Sequence, residues 1–224
     1  IKMMSIFKPK RTITAWHKQM VARMHVMLHD NCDGVIALSR KMQHQLDSWG
    51  SITKTTLLPT GVDPIASASK SDVDQFKLQN GITKEDRVLL YVGRLSREKN
   101  LDLLVDAFKV VAKEHENVKL MLVGDFDYRE SLEVRAKENG IYDLTIFPGR
   151  IPREKLDLAY ASADIFLFPS TTDTQGLVVH EAAGAKLPLI LCDPEVSEVF
   201  IDGQTGLLSS NKPQDMAKQI SKTC

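Results

Sequence analysis

From Arg87 onward short apolar runs alternate with amphipathic stretches, and that alternation restricts the chain to very few folds. Val88-Leu89-Leu90-Tyr91-Val92, Lys119-Leu120-Met121-Leu122-Val123, Leu144-Thr145-Ile146-Phe147, Ile165-Phe166-Leu167-Phe168 and Leu187-Pro188-Leu189-Ile190-Leu191 have the length and apolar content of buried strands. Between them, Leu101 to Glu114 sets Leu101, Leu104, Val105, Phe108 and Val111 on one helical face, and Arg129 to Asn139 and Arg153 to Ser162 also read as helices. Strands joined through helices pair in parallel, and a parallel sheet is covered by helices on both faces. The expected fold class is α/β, a doubly wound parallel sheet. Ligands of such sheets collect at the carboxyl ends of the strands, so the residues after each strand are the candidates for a site.

After the first strand stands Gly93-Arg94-Leu95-Ser96-Arg97-Glu98-Lys99-Asn100. Gly93 admits close backbone approach, Arg94 can bridge two phosphate oxygens, and Lys99 adds a point charge, so a diphosphate would be well held. Taken alone, this turn reads equally as a solvated basic loop. Gly124-Asp125-Phe126-Asp127 and Pro148-Gly149-Arg150-Ile151 follow the next two strands, and their common place on one sheet edge makes the glycines more than separate turn formers. The stretch Ser170 to Ala185 follows the aromatic strand. Its helix is expected to begin near Gly176, with Thr and Asp in front as caps and Leu177, Val178 and the alanines as apolar face. A helix N-terminus in such a turn suits an anion or a polyhydroxy ligand. Asp173 stands in the loop and Glu181 about two turns into the helix, so the two acids can touch two parts of one elongated ligand. The alternative is a plain strand-to-helix connection, with Asp173 as cap and Glu181 solvated.

With 224 residues and 43% apolar content the chain buries a real core. Basic and acidic residues balance at 29 each, so no net charge draws it to nucleic acid. The balance is local only. Up to His29 the chain holds Lys2, Lys8, Lys10, Arg11, Lys18 and Arg23 and no acid, while Ile13, Trp16, Met20, Met24 and Met27 recur at helical spacing. Arg11 to His29 thus reads as an amphipathic helix whose Met face packs on the rest of the protein. Its basic side, with Trp16 and Phe7, also suits an anionic membrane surface. Cys32, Cys192 and Cys224 are odd in number, widely spaced and without a CxxC, which speaks against a disulfide framework or a zinc site and for a reducing cytosol. No run is long enough to span a bilayer. Gly34 to Ser39 reads as a short buried strand with Ser39 capping the next helix, and Ile65 to Ser71 as a linker. The opening at Ile1 and the stop at Cys224 inside a helical pattern make a fragment of a longer polypeptide the expectation.

Tyr91-Val92-Gly93-Arg94-Leu95, Glu98-Lys99-Asn100-Leu101, Val123-Gly124-Asp125, Ala163 to Ser170 and Gly176-Leu177-Val178-Val179-His180-Glu181-Ala182, in that order, resemble the donor-binding domain of retaining GT-B glycosyltransferases of the family-four type. The resemblance runs from about Leu57 to the end, and Cys32 to Ser39 is similar to the tail of the family's N-terminal domain. It implies a Rossmann-like domain over 87–224, C-terminally incomplete, a linker and lead-in helix over 61–86, and the tail of a truncated acceptor-side domain over 1–60. It further implies that Arg94 and Lys99 hold the donor diphosphate without a metal or cofactor, and that Glu181, the second acid of an E-x7-E motif, binds the ribose hydroxyls. Asp173 falls on the first acid, near the sugar, one methylene shorter than the usual Glu. Backbone N–H groups of Thr174, Gln175, Gly176 and Leu177 would meet sugar and phosphate, Gly93 and Gly124 would line the donor, and Gly149, Arg150 and Ile151 would hold the base. The Thr-Asp-Thr-Gln-Gly-Leu-Val form is most similar to diacylglycerol glucosyltransferases. The implied activity is transfer of a hexose, with retention, from a UDP-sugar such as UDP-glucose to a lipid acceptor, in the cytoplasm at the inner membrane face. A soluble or polysaccharide acceptor, and a nucleotide-sugar-binding homologue without turnover, stay open. The fragment alone is expected to transfer little.

Overall fold

The computed structural model describes residues 15–63 and 68–224. The beginning of the expected first helix, with Ile13, the basic residues before it and Phe7, lies outside the described residues, as does part of the expected linker, Ile65 to Ser67. The chain forms two compact units that meet in sequence between Leu58 and Pro59.

In the first unit, α1 (Ala15–His29) leads to β1 (Val35–Ala37), α2 (Arg40–Trp49) and β2 (Thr55–Leu57), with β1 and β2 paired in parallel. Ser39 caps α2 as expected, its Oγ accepting from Met42 N at 3.2 Å, and Asp30 closes α1 by accepting from Ser51, Ile52 and Thr53. Two expectations fail. The Met face of α1 is uncovered among the described residues: Trp16 is 64% exposed and Met27 60%, with Met20 and Met24 also exposed. The opposite face, through Ala22, His25 and Val26, is the half-buried one, and the His25 ring stands 5.4 Å from Trp49 of α2. Nor is β1 buried throughout, because Ile36 points out of a sheet only two strands wide.

The second unit begins with α3 (Lys70–Gln79) and continues β3 (Arg87–Val92), α4 (Leu101–Glu114), β4 (Val118–Val123), α5 (Arg129–Glu138), β5 (Thr145–Gly149), α6 (Leu156–Ala161), β6 (Ile165–Phe168), α7 (Leu177–Gly184), β7 (Leu189–Leu191), β8 (Gly206–Leu208) and α8 (Pro213–Thr223). All six strands are parallel, in the order β5-β4-β3-β6-β7-β8. Val88 to Val92 of β3 and all of β6 are buried residue after residue, the signature of a strand covered on both faces. The helices group accordingly, α4 with α5 and α8, and α3 with α6. Within residues 61–86, expected as a linker and lead-in helix, α3 is that helix and packs against α6 of this unit. The short edge strand β8 was not foreseen, and no helix among the described residues is long and apolar enough to cross a membrane.

Strand order reverses between β3 and β6, so the chain leaves these neighbours toward opposite edges and a crevice opens at their carboxyl ends. Asp164 sets their register, accepting from Val88 N at 2.8 Å while its own N–H donates to Val88 O. The strand ends are drawn together by backbone alone: Gly93 N donates to Val123 O at 3.0 Å and Gly124 N to Gly149 O at 2.9 Å. Both glycines hold positive φ, and a Cβ at Gly124 would lie 1.9 Å from Gly93 O.

Gly124→Ala is therefore expected to lower unfolding free energy by about 2–6 kcal/mol, overpacking and backbone strain combined. Gly50→Ala, at positive φ with open space around it, should lose only about 1–2 kcal/mol. Urea denaturation of both variants checks the difference.

Candidate functional site

The turns after β3, β4 and β5 enclose an open cleft of about 660 Å3 that brings together Gly93, Arg94, Gly124, Arg150 and Ile151, with Phe126 on its wall. Glycines at the strand ends expose backbone there instead of side chains. Arg94 is 61% exposed at the side chain; its guanidinium stands 5.6 Å over the Phe126 ring and 3.6 Å from Glu98. That placement holds a cation at the cleft with its hydrogen-bond donors largely free for an anion.

Across the β3–β6 crevice, Lys99 Nζ meets Asp173 Oδ1 at 2.6 Å, with side chains 12% and 18% exposed. Asp173 is thus tied to the β3 turn and does not cap α7, whose Gly176 cap carries no side-chain hydrogen bond. Its second oxygen, Oδ2, is buried without a hydrogen-bond partner. The two turns are joined again by Thr172 Oγ1 donating to Glu98 O at 3.2 Å and by Asn100 Nδ2 donating to Pro169 O at 3.3 Å. Asn100 itself adopts the left-handed conformation that ends the Arg97–Lys99 turn and starts α4.

Glu181 is not solvated. It is 3% exposed, and its carboxylate accepts from Arg153 on Oε1 and from the Tyr160 hydroxyl on Oε2 at 2.7 Å. Burial first, and then the Glu181 charge, push the Tyr160 phenol far above its usual range, so toward the carboxylate it is the donor. The hydrogen bond to Glu181 raises the Arg153 guanidinium still further. Neither partner was foreseen. In the sequence Arg153 to Ser162 reads only as a helix, and nothing in it points from Arg153 or Tyr160 to Glu181.

The loop from Asp173 to Leu177 differs from the expected N–H cradle. Gly176 N donates to Val196 O at 2.9 Å and Leu177 N to Gln175 O at 3.1 Å, so two of the expected donors are used within the protein. Gln175 turns its amide to the Thr60 backbone, donating to Thr60 O at 3.1 Å and accepting from Thr60 N at 3.4 Å. No cluster of ligating side chains that could hold a metal occurs among the described residues. His180 packs, with Nε2 at 3.9 Å from Glu198 Oε2.

Residues 72–223 match the family described as Glycosyl transferases group 1. The alpha-monoglucosyldiacylglycerol synthase of Streptococcus pneumoniae is 33% identical over 187 residues, 81% of this chain and 42% of that protein. The synthase of the same name from Acholeplasma laidlawii is 28% identical over 210 residues, 91% of this chain and 52% of its own. The chain thus spans about half the length of these curated relatives. Among solved structures, Anabaena Alr3699/HepE in complex with UDP superposes with a TM-score of 0.81 at 25% identity, covering 97% of this chain and 60% of that one.

The Lys99–Asp173 pair allows a direct test of how far the site is held by charge. Lys99→Met leaves a largely buried carboxylate without any partner and should cost about 3 kcal/mol, whereas adding Asp173→Leu should return most of that loss. Denaturant melts of the single and double variants decide it; additive losses would mean that the pair is not coupled.

Proposed function

Since the chain belongs to the group 1 glycosyl transferases, we propose that it carries the donor site of a retaining enzyme that moves a hexose from UDP-glucose to a lipid acceptor. The observation that carries this reading is the constellation at the β3–β6 crevice: two cations, Arg94 and Lys99, on the turn after β3, facing an acid from the turn after β6 that has one buried oxygen to spare. A diphosphate leaving group gains negative charge as the glycosidic bond breaks, and fixed cations in a partly dehydrated cleft stabilise that charge more in the transition state than before it. Arg94 is placed to bridge diphosphate oxygens, and Lys99 to exchange part of its bond with Asp173 for one with phosphate. Charge compensation by these side chains needs no resident metal.

Asp173 Oδ2 would accept from a sugar hydroxyl, and the glycine backbone at 93 and 124 lets the diphosphate lie close to the strand ends. The nucleoside would extend toward Arg150 and Ile151, with Glu181 at its ribose. UDP as the nucleotide is supported by the UDP complex of Alr3699/HepE, and glucosyl transfer to diacylglycerol by the names of the two synthases. Retention follows in this reading from attack on the face that the leaving diphosphate occupies, the diphosphate itself taking the acceptor proton.

One feature of the first unit favours a lipid acceptor. The exposed stripe of Trp16, Met20, Met24 and Met27 lies on a helix whose charged residues, Lys18 and Arg23, are all basic. Apolar burial plus attraction to anionic headgroups is the usual basis of peripheral attachment, each nearby cation adding about 1 kcal/mol. Attachment of this kind would place the protein at the inner face of the membrane.

Calorimetric titration with UDP, UDP-glucose, GDP-mannose and ADP-glucose tests the donor. Saturable binding of the uridine nucleotides alone is expected, with affinity lowered about 10- to 100-fold in Arg94→Ala and Glu181→Ala, the worth of one hydrogen bond to a charged group. Selective binding of a guanosine or adenosine donor would overturn the assignment. For the acceptor, sedimentation with phosphatidylglycerol vesicles but not with phosphatidylcholine vesicles, weakened by salt, is the expected result. Sedimentation with neither would point to a soluble or polysaccharide acceptor.

A further inference from the structure

A carboxylate offers about four acceptor positions, two on each oxygen. At Glu181 the protein fills one on each: Arg153 on Oε1 and the Tyr160 hydroxyl on Oε2. These two donors differ in kind. Tyr160 is fully buried, carried by α6 and packed with its ring 6.1 Å from Phe166 of β6, so its oxygen is fixed by the core. Arg153 has a side chain more than half exposed on a short 3-10 turn, and exposed cations exchange partners readily. The hydroxyl therefore decides which way the carboxylate plane faces. What remains is one acceptor position on each of two adjacent oxygens, a spacing that matches two neighbouring hydroxyl groups.

We propose that Tyr160 is a positioning residue, which holds the Glu181 carboxylate in the orientation that receives a vicinal diol, the ribose of the nucleotide donor. The inference rests on the donor reading above and adds to it a residue, a role and a chemical requirement. A phenol at this position cannot be replaced by a plain ring without freeing the carboxylate to rotate, since Arg153 alone is too loosely held to fix it.

The test compares UDP with 2′,3′-dideoxy-UDP on the chain as it stands. Two hydrogen bonds from hydroxyls to a charged acceptor should make UDP bind at least about tenfold tighter than the dideoxy compound. In Tyr160→Phe that ratio should fall below about threefold while affinity for dideoxy-UDP changes by less than about twofold. A purely structural role would weaken both nucleotides together and keep the ratio, which overturns the proposal. So does an unchanged Tyr160→Phe. Should that variant melt below the assay temperature, 3-fluorotyrosine incorporated at the protein's four tyrosines gives the same answer in the wild-type fold. The Tyr160 fluorine resonance is expected to move with UDP and stay with dideoxy-UDP, and equal movement with both would sink the idea. Wild-type binding of UDP without discrimination against dideoxy-UDP rejects this inference and leaves the donor reading standing; no UDP binding at all rejects both.

Discussion

The rest of the second unit depends on the contact between two backbones at Gly93 and Gly124, where a Cβ would fall 1.9 Å from a carbonyl oxygen. Parallel strands normally diverge into their turns. Here the N–H groups of Gly93 and Gly124 reach across to Val123 and Gly149, so three successive strands end in one continuous ledge of peptide groups. A ledge of this kind carries no side chains, so a ligand can lie directly against the backbone. The side chains of the cleft therefore come from beyond the glycines, which is where Arg94, Arg150 and Ile151 stand.

Charge is the second organising term, and the site keeps its charges paired. Lys99 with Asp173 and Arg153 with Glu181 each join an element on one side of the strand-order reversal to one on the other. Partly buried pairs add little net stability against an apolar replacement, because desolvation consumes much of the attraction. The two pairs differ in dehydration: Lys99 and Asp173 are 12% and 18% exposed, whereas Arg153 is 57% exposed above a buried Glu181. The buried, unpartnered Oδ2 of Asp173 leaves one acceptor position open at the first pair.

Much of this was legible in the chain. Continuous apolar runs announced β3, β4 and β6, because strands buried on both faces have no polar alternation to lose. The glycines and cations at the strand ends followed from topology. What escaped was of two sorts. β8 has three residues, all half-buried, and so carries no pattern of its own. The pairings within the site join residues 28, 74 and 115 positions apart, Arg153 with Glu181, Lys99 with Asp173, and Gln175 with Thr60. Periodicity reports the neighbours of a residue on its own element; nothing in one sequence reports a partner that only the fold supplies.

The same limit explains the misread helix. An apolar stripe at helical spacing shows that one face of α1 avoids water, and it does not name the surface that covers it. In the first unit α1 turns Ala22, His25 and Val26 toward its own neighbours and leaves Trp16 and the methionines outward. Packing within a unit goes to small and flat side chains that allow helices to approach closely, whereas large flexible ones such as Met suit a surface that must adapt to what it meets. On α1 that division leaves the indole and thioethers together on one acid-free face that nothing among the described residues covers.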